Sequence, residues 1–185
     1  MDEFVMDMKQ LARKLLKDDI LYDKIPKKER IEFINYAIKQ GYNAADDSLN
    51  DGLNKENPKK YIQKKVRVNY KKESPPVPIF SEAKLKNRII NLYTEDIDKG
   101  ITDSIKIKPE KINFEKAYDV FLLHEYYHIL EEKNSKYKTN KKEIVVFEIL
   151  KWKIKRSIKM LSEISAHAYV RKITGLPIDY IKKTT

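Results

Sequence analysis

Two of the three histidines in this chain fall within the run His124-Glu125-Tyr126-Tyr127-His128, which has the form H-E-x-x-H. Residues four apart stack on one face of an α-helix. His124 and His128 can therefore converge on one divalent metal, at Zn–N distances of roughly 2.0–2.1 Å. Glu125 leaves that face by one helical step. From there its carboxylate can reach a water activated by the metal without binding the metal itself. That is the position of a general base.

This chemistry needs a helix under the motif. Val120, Phe121, Leu122, Leu123, Ile129 and Leu130 surround it, and residues 114–132 contain neither Gly nor Pro. Asn113 is in place to act as N-cap. Such continuous apolarity around two histidines predicts a buried helix with the metal site at the floor of a cleft. The competing account is a helix that carries two histidines by accident. The scarcity of the residue type, and its concentration at the required spacing, argue against it.

A catalytic zinc usually takes three protein ligands and leaves one position open. The third must come from downstream, where Glu163 and His167 lie four residues apart on one face of a second expected helix. Ser157 is expected to cap this helix, and Gly175 followed by Pro177 to end it. Ile158, Leu161, Ile164, Ala168 and Ile173 form its apolar stripe. A carboxylate among such neighbours is costly unless paired or metal-bound, though a solvated helix glutamate is the bland alternative. Spacing alone leaves three roles open for His167: ligand, hydrogen-bonding support for a ligand, or ordinary core histidine.

The pairing of His124–His128 with the downstream segment LSEISAHAYVRKITGLP resembles the ImmA/IrrE-type zinc metallopeptidases, which are gluzincin-like H-E-x-x-H proteins. Their second helix has the form E-x-x-A-x-x-aromatic-apolar and is often closed by Leu-Pro. Glu163, Ala166, Tyr169-Val170 and Leu176-Pro177 occupy comparable places. The resemblance implies His124, His128 and Glu163 as ligands of Zn2+, Glu125 as the base, and His167 as a group that supports the ligands. It is clearest over residues 81–179. One departure is Tyr126-Tyr127, where family members often carry a smaller residue. Another is the long basic stretch between the two motifs.

With 185 residues and 41% hydrophobic content, the chain is long and apolar enough to bury a real core. It has no cysteine, which excludes a disulfide scaffold and a thiolate zinc site. The N-terminus MDEFVMDMKQ is acidic without an apolar run, and no stretch approaches the length of a membrane span. These features lead us to expect a soluble cytoplasmic protein with no membrane partner.

The net charge of +11 invites a nucleic-acid reading. Most of it is lysine, however, and readers of nucleic acid favour arginine where bidentate geometry matters. Direct nucleic-acid binding is therefore the less favoured account, with solvated faces and solubility the more ordinary one. Residues 133–159 stand apart. They concentrate Lys136, Lys138, Lys141, Lys142, Lys151, Lys153, Lys155, Arg156 and Lys159 between the two metal-binding helices. There they are suited to attracting an acidic protein, or the DNA on which it sits.

Along the chain, residues 3–17 read as an amphipathic helix with Phe4, Met8, Leu11 and Leu15 in register. Pro26, at N1, opens a second helix to Gln40, which Gly41 ends or kinks, with a further turn over 44–49. Residues 66–70 and 88–93 alternate as strands, 82–91 also fitting a helix, and 101–107 read as a third strand. Residues 144–154 fit both alternation and helical spacing. Together these elements predict a small α+β fold of zincin-like type. A short, mainly antiparallel sheet packs on the H-E-x-x-H helix, the Glu163 helix crosses it, and an edge strand is available to hold an extended substrate. Residues 1–60 form an N-terminal helical region packed on the 61–185 core. The expected function is a zinc-dependent endopeptidase of regulatory type, acting on a protein such as a repressor of a mobile genetic element. The alternative is a metal-containing regulator that works by binding protein or DNA without cleavage.

Overall fold

In the computed structural model of the chain, the H-E-x-x-H run lies on helix α5 (Phe114–Lys133) and Glu163 on helix α6 (Met160–Thr174). The structure describes residues 7–73, 75–77, 79–107, 114–149 and 152–176, with the side chains of 103–107 and 114–115 left aside. Phe4, Asn113, Lys151 and Pro177, each given a place in the sequence reading, lie outside the described residues. Helices α1 (Met8–Lys17), α2 (Lys27–Asn50), α3 (Pro58–Gln63) and α4 (Thr94–Ile107) complete the helical part. The strands are β1 (Arg67–Lys71), β2 (Ser81–Lys84), β3 (Ile89–Tyr93), β4 (Glu143–Ile149) and β5 (Trp152–Ser157). The class is α+β.

The sheet is more mixed than the expected antiparallel one. Its order is β1-β3-β2, with β1 parallel and β2 antiparallel to the central β3. One polar row crosses all three strands. Asn69 donates to Asn91 (3.0 Å), and Asn91 donates to Glu82 (2.6 Å), which also accepts the Tyr93 hydroxyl (2.7 Å). Asn91 is buried, so losing a partner there would leave an unsatisfied amide in the interior. The row therefore pins the register of β2. Because strand side chains alternate, Ser81 then points to the face opposite Glu82, toward α5.

The strand expected over 88–93 is β3, whereas the one expected over 101–107 is not a strand. Residues 101–107 belong to helix α4. Ile97 and Ile101, four apart, are both fully buried, so the helical period decides the burial. Residues 82–91 are neither wholly strand nor helix. Strand β2 runs into a 3-10 turn at Leu85–Asn87, and Arg88 takes the left-handed conformation (φ 53°) that starts β3. The ambiguous 144–154 stretch is a hairpin, β4 against β5, with a register irregularity between Val145 and Phe147.

The seat of α6 depends on α2. Gly41 neither ends nor kinks that helix, which runs unbroken for 24 residues. Instead it lets α6 approach. A Cβ on Gly41 would overlap the Ser165 carbonyl oxygen and come within 2.8 Å of Ala168 Cβ. Beside it, the buried Ser165 hydroxyl is 2.8 Å from the Ala37 carbonyl and 2.9 Å from that of Leu161. The N-terminus of α6 is fixed from still farther away. Ser157 is the last residue of β5 rather than the cap, and Lys159 at the N-cap position offers no side-chain bond. The first amide, Met160 N, donates to the buried Asp19 carboxylate at 3.0 Å. At the other end Gly175 caps the helix in the left-handed conformation (φ 69°), as expected.

Gly41→Ala tests this seating. Alanine is a better helix former by about 1 kcal/mol. Overpacking against a backbone carbonyl costs about 1–3 kcal/mol and more where neither helix can retreat. The expected outcome is a net loss of about 1–2 kcal/mol in urea unfolding. A gain in stability would show that the contact is not tight.

Candidate metal centre

His124 and His128 project from one face of α5 into a cleft of about 1080 Å³, and Glu163 enters from α6. The His124 Nε2–His128 Nε2 separation is 3.2 Å. Glu163 Oε2 is 3.2 Å from His124 Nε2, and Oε1 is 3.4 Å from His128 Nε2. Atoms at the corners of a tetrahedron with roughly 2.0–2.1 Å arms are separated by about 3.3–3.4 Å. Each histidine nitrogen thus faces one oxygen of Glu163 at about that separation, and the three side chains form a group that could hold a metal ion.

The protonation pattern fits a cation at the centre. Ser162 lies beside Glu163, and its hydroxyl donates to Glu131 Oε2. Having given that proton away, Ser162 Oγ accepts from His128 Nδ1 at 3.1 Å. His128 is thereby held with its proton on Nδ1 and a lone pair on Nε2, facing Glu163 and His124. Glu131 is held in turn by the Thr139 amide (2.9 Å) and the Thr139 hydroxyl. This chain, Thr139 to Glu131 to Ser162 to His128, is the kind of support that orients a metal-binding imidazole.

The electrostatics point the same way. Burial alone would raise the Glu163 carboxyl, but the hydrogen bond from His124 and the charges of His124, His128 and His167 outweigh it, bringing Glu163 down to about 2. Burial, then His124, lower His128. Burial, then His124, bring His167 down to about 3. Glu163 is thus held ionised while His128 and His167 are shifted toward the neutral form, the states in which such side chains bind metal.

Glu125 lies at the same cleft, nearly buried, with its Oε1 accepting the Ser81 hydroxyl at 2.8 Å. This bond ties the residue after His124 to strand β2. His167 lines the cleft too. Its ring packs edge-on against that of His124, with centroids 4.9 Å apart. It stands outside the triad of converging donor atoms, a place suited to positioning His124.

Other expectations fall elsewhere. Tyr126 and Tyr127 turn away from the cleft into the core, against Tyr61 and Tyr169 respectively. Their bulk therefore does not fill the substrate side. Tyr169 has its hydroxyl 3.0 Å from Ser48 in the interior, and the Tyr93 hydroxyl is bonded to Glu82. Neither lines the cleft. Of the basic stretch, Lys138 and Lys159 do reach its rim. Lys136 pairs with Asp47, Lys142 with Glu32 (2.7 Å) and Lys153 with Glu148 (3.2 Å). Ser81, Glu131, Thr139 and Ser162 were not singled out from sequence. Glu131 did carry a signal, standing three residues after His128 on the same helical face.

Comparison of the chain with protein-family models, with curated proteins and with solved structures gives no match. The reading of this centre accordingly rests on its own geometry. If the Ser162 link sets the His128 tautomer, Ser162→Ala should weaken the affinity of this group for a divalent metal about 10–100-fold. Competition against a chromophoric chelator measures this, and unchanged affinity would remove Ser162 from the centre.

Proposed function

We propose that the chain is a zinc-dependent endopeptidase of regulatory type, with His124, His128 and Glu163 as ligands and Glu125 as general base. The observation that carries this reading is the convergence of two imidazole nitrogens on the two oxygens of one carboxylate, with a second carboxylate, Glu125, beside them in one cleft. Zinc bound there would supply a Lewis acid that brings the pKa of its water toward about 7 and polarises a carbonyl. Glu125 takes the proton from the attacking water and delivers it to the leaving amine. Ser81 keeps the carboxylate aimed while it does so. Glu131 and Ser162 hold the His128 ring, and His167 braces His124.

The peptide substrate class follows from β2. It is an edge of the three-stranded sheet, and Ser81, Glu82 and Ala83 line the cleft beside the metal centre. An extended backbone can pair along such an edge and pass its scissile bond over Glu125. Strand addition favours a polypeptide over a small ester or amide. A narrow, cytoplasmic target such as the repressor of a mobile element is the choice suggested by the resemblance to the ImmA/IrrE-type peptidases.

Three variants test this, with zinc content and cleavage of candidate repressors measured side by side. Glu125→Gln should retain zinc and fold and lose about 10²–10⁴-fold in rate. Alanine at both His124 and His128 should abolish stoichiometric zinc. Glu163→Gln should weaken zinc and activity together. Retained biological activity in Glu125→Gln would favour the non-proteolytic regulator. Zinc retained by the double histidine variant would end the metal assignment.

A further inference from the structure

The β4–β5 hairpin carries the largest group of exposed apolar side chains in the described structure. Phe147 is 52% exposed, Ile149 55%, Trp152 79% and Ile154 47%. The register pairs Phe147 with Ile154 and Ile149 with Trp152. Paired residues share a face, as do residues two apart. All four therefore lie on one face of the ribbon. The pair between these rows, Glu148 and Lys153, lies on the other face and is joined by an ion pair (3.2 Å). Lys155 falls on that second face as well. The root of the hairpin is buried at Ile144 and half-buried at Val146, whose side chain packs on the core and whose carbonyl accepts from Lys24 Nζ at 3.1 Å. Beyond it both faces stand in solvent.

Exposed apolar surface of this kind marks an interaction site. We propose that the ribbon is a peripheral membrane contact, its apolar face entering the interface of an anionic bilayer while its lysines meet the headgroups. Three observations favour lipid. First, the charge is complementary. The chain carries +11 overall, and Lys153, Lys155 and Arg156 stand on the ribbon itself, with its one acidic residue beyond the root, Glu148, neutralised by Lys153. Such cations next to an apolar face are the signature of binding to anionic lipid.

Second, the shape is a protrusion. A fluid interface closes around a projecting ribbon, whereas a protein partner would need a groove cut to fit it. Four side chains also fall short of the ~800 Å² per partner of a standard protein interface. Third, Trp152 is the most exposed of the four, and tryptophan favours the boundary between headgroup and acyl chain. A second copy of the chain would have to bring two strongly cationic molecules together over that small area. Duplex DNA would engage the lysines and leave the apolar face uncovered.

This departs from the expectation of no membrane partner but not from the observation behind it. Among the described residues no helix is long and apolar enough to cross a membrane. A surface contact requires none. The inference does not rest on the peptidase reading.

Trp152 is the single tryptophan of the chain, so its emission reports on the ribbon alone. The full chain is titrated with vesicles of phosphatidylcholine containing phosphatidylglycerol, and with pure phosphatidylcholine vesicles. A blue shift and co-sedimentation with the anionic vesicles are expected, both weakening as salt rises. Phe147→Ser combined with Ile149→Ser leaves the reporter in place and should lower vesicle affinity about tenfold or more. Zinc content and circular dichroism should be unchanged, because these side chains are exposed. Lys153→Gln with Lys155→Gln should reduce the preference for anionic over neutral vesicles. Glu125→Gln should bind like the wild type. Absence of both shift and co-sedimentation overturns the proposal. So does a blue shift that follows protein concentration without lipid, which assigns the face to a second copy. A shift with an acidic unfolded protein such as β-casein, or with duplex DNA, but not with vesicles, also overturns it.

Discussion

Two imidazole nitrogens and a carboxylate held 3.2–3.4 Å apart do not stabilise one another unless a proton or a cation sits among them. With His128 fixed as the Nδ1–H form, its Nε2 lone pair faces a second nitrogen and an anionic oxygen. In water such groups would separate. Here they are partly shielded from solvent and held by two helices whose positions are set by other contacts. The scaffold thus holds together a polar group, bonded between His124 and Glu163, that a divalent cation could occupy in exchange for the proton. Much of the surrounding structure serves to keep those atoms from relaxing apart.

The two helices do so differently. On α5 the spacing of His124 and His128 is a property of the helix itself and needs little help. The position of Glu163 depends on where α6 lies, and three separate contacts determine that. Gly41 lets the helix backbones meet, Asp19 holds the first amide, and Ser162 reaches across to α5. Glu125 has its own anchor in Ser81. Glu125 is thus tied to the sheet, and the His124, His128 and Glu163 group to the helical layer. A disturbance of the sheet would act on Glu125 before it acted on the His124, His128 and Glu163 group, and a disturbance of α2 would do the reverse.

What the sequence made legible follows this division. The H-E-x-x-H helix, the buried stripe of α6 and the glycine at its end are local patterns, and each was readable in the period of the residues themselves. The cap of α6 was not, because Asp19 is 141 residues from Met160. Gly41 misled for a related reason. Locally a glycine reads as a break, and only the helix that packs over it shows that its missing Cβ is the point. Residues 101–107 alternate well enough for a strand, but Ile97 and Ile101 align at a helical spacing and both are buried. Strand β2, with the sequence Ser-Glu-Ala-Lys, has no strand propensity to speak of and exists through its pairing with β3. The supporting chain of Thr139, Glu131 and Ser162 joins three elements, and no single stretch of sequence contains it.

The basic character of the chain also divides once the fold is known. Several lysines of the stretch between the motifs are engaged with acids of other elements, as Lys136 is with Asp47 and Lys142 with Glu32. Those charges serve the fold and offer little to a partner. Lys155 and Arg156 belong instead to the ribbon, whose root passes directly through Ser157, Ile158 and Lys159 along the cleft wall into α6. The ribbon and the Glu163 helix are therefore one continuous piece of chain, separated by a short segment that lines the cleft. Force or restraint applied to the ribbon reaches the third ligand through only a few peptide bonds. It is resisted there chiefly by the Asp19 cap and the Gly41 contact. Those contacts decide whether anything that grips the ribbon is also felt at the metal centre.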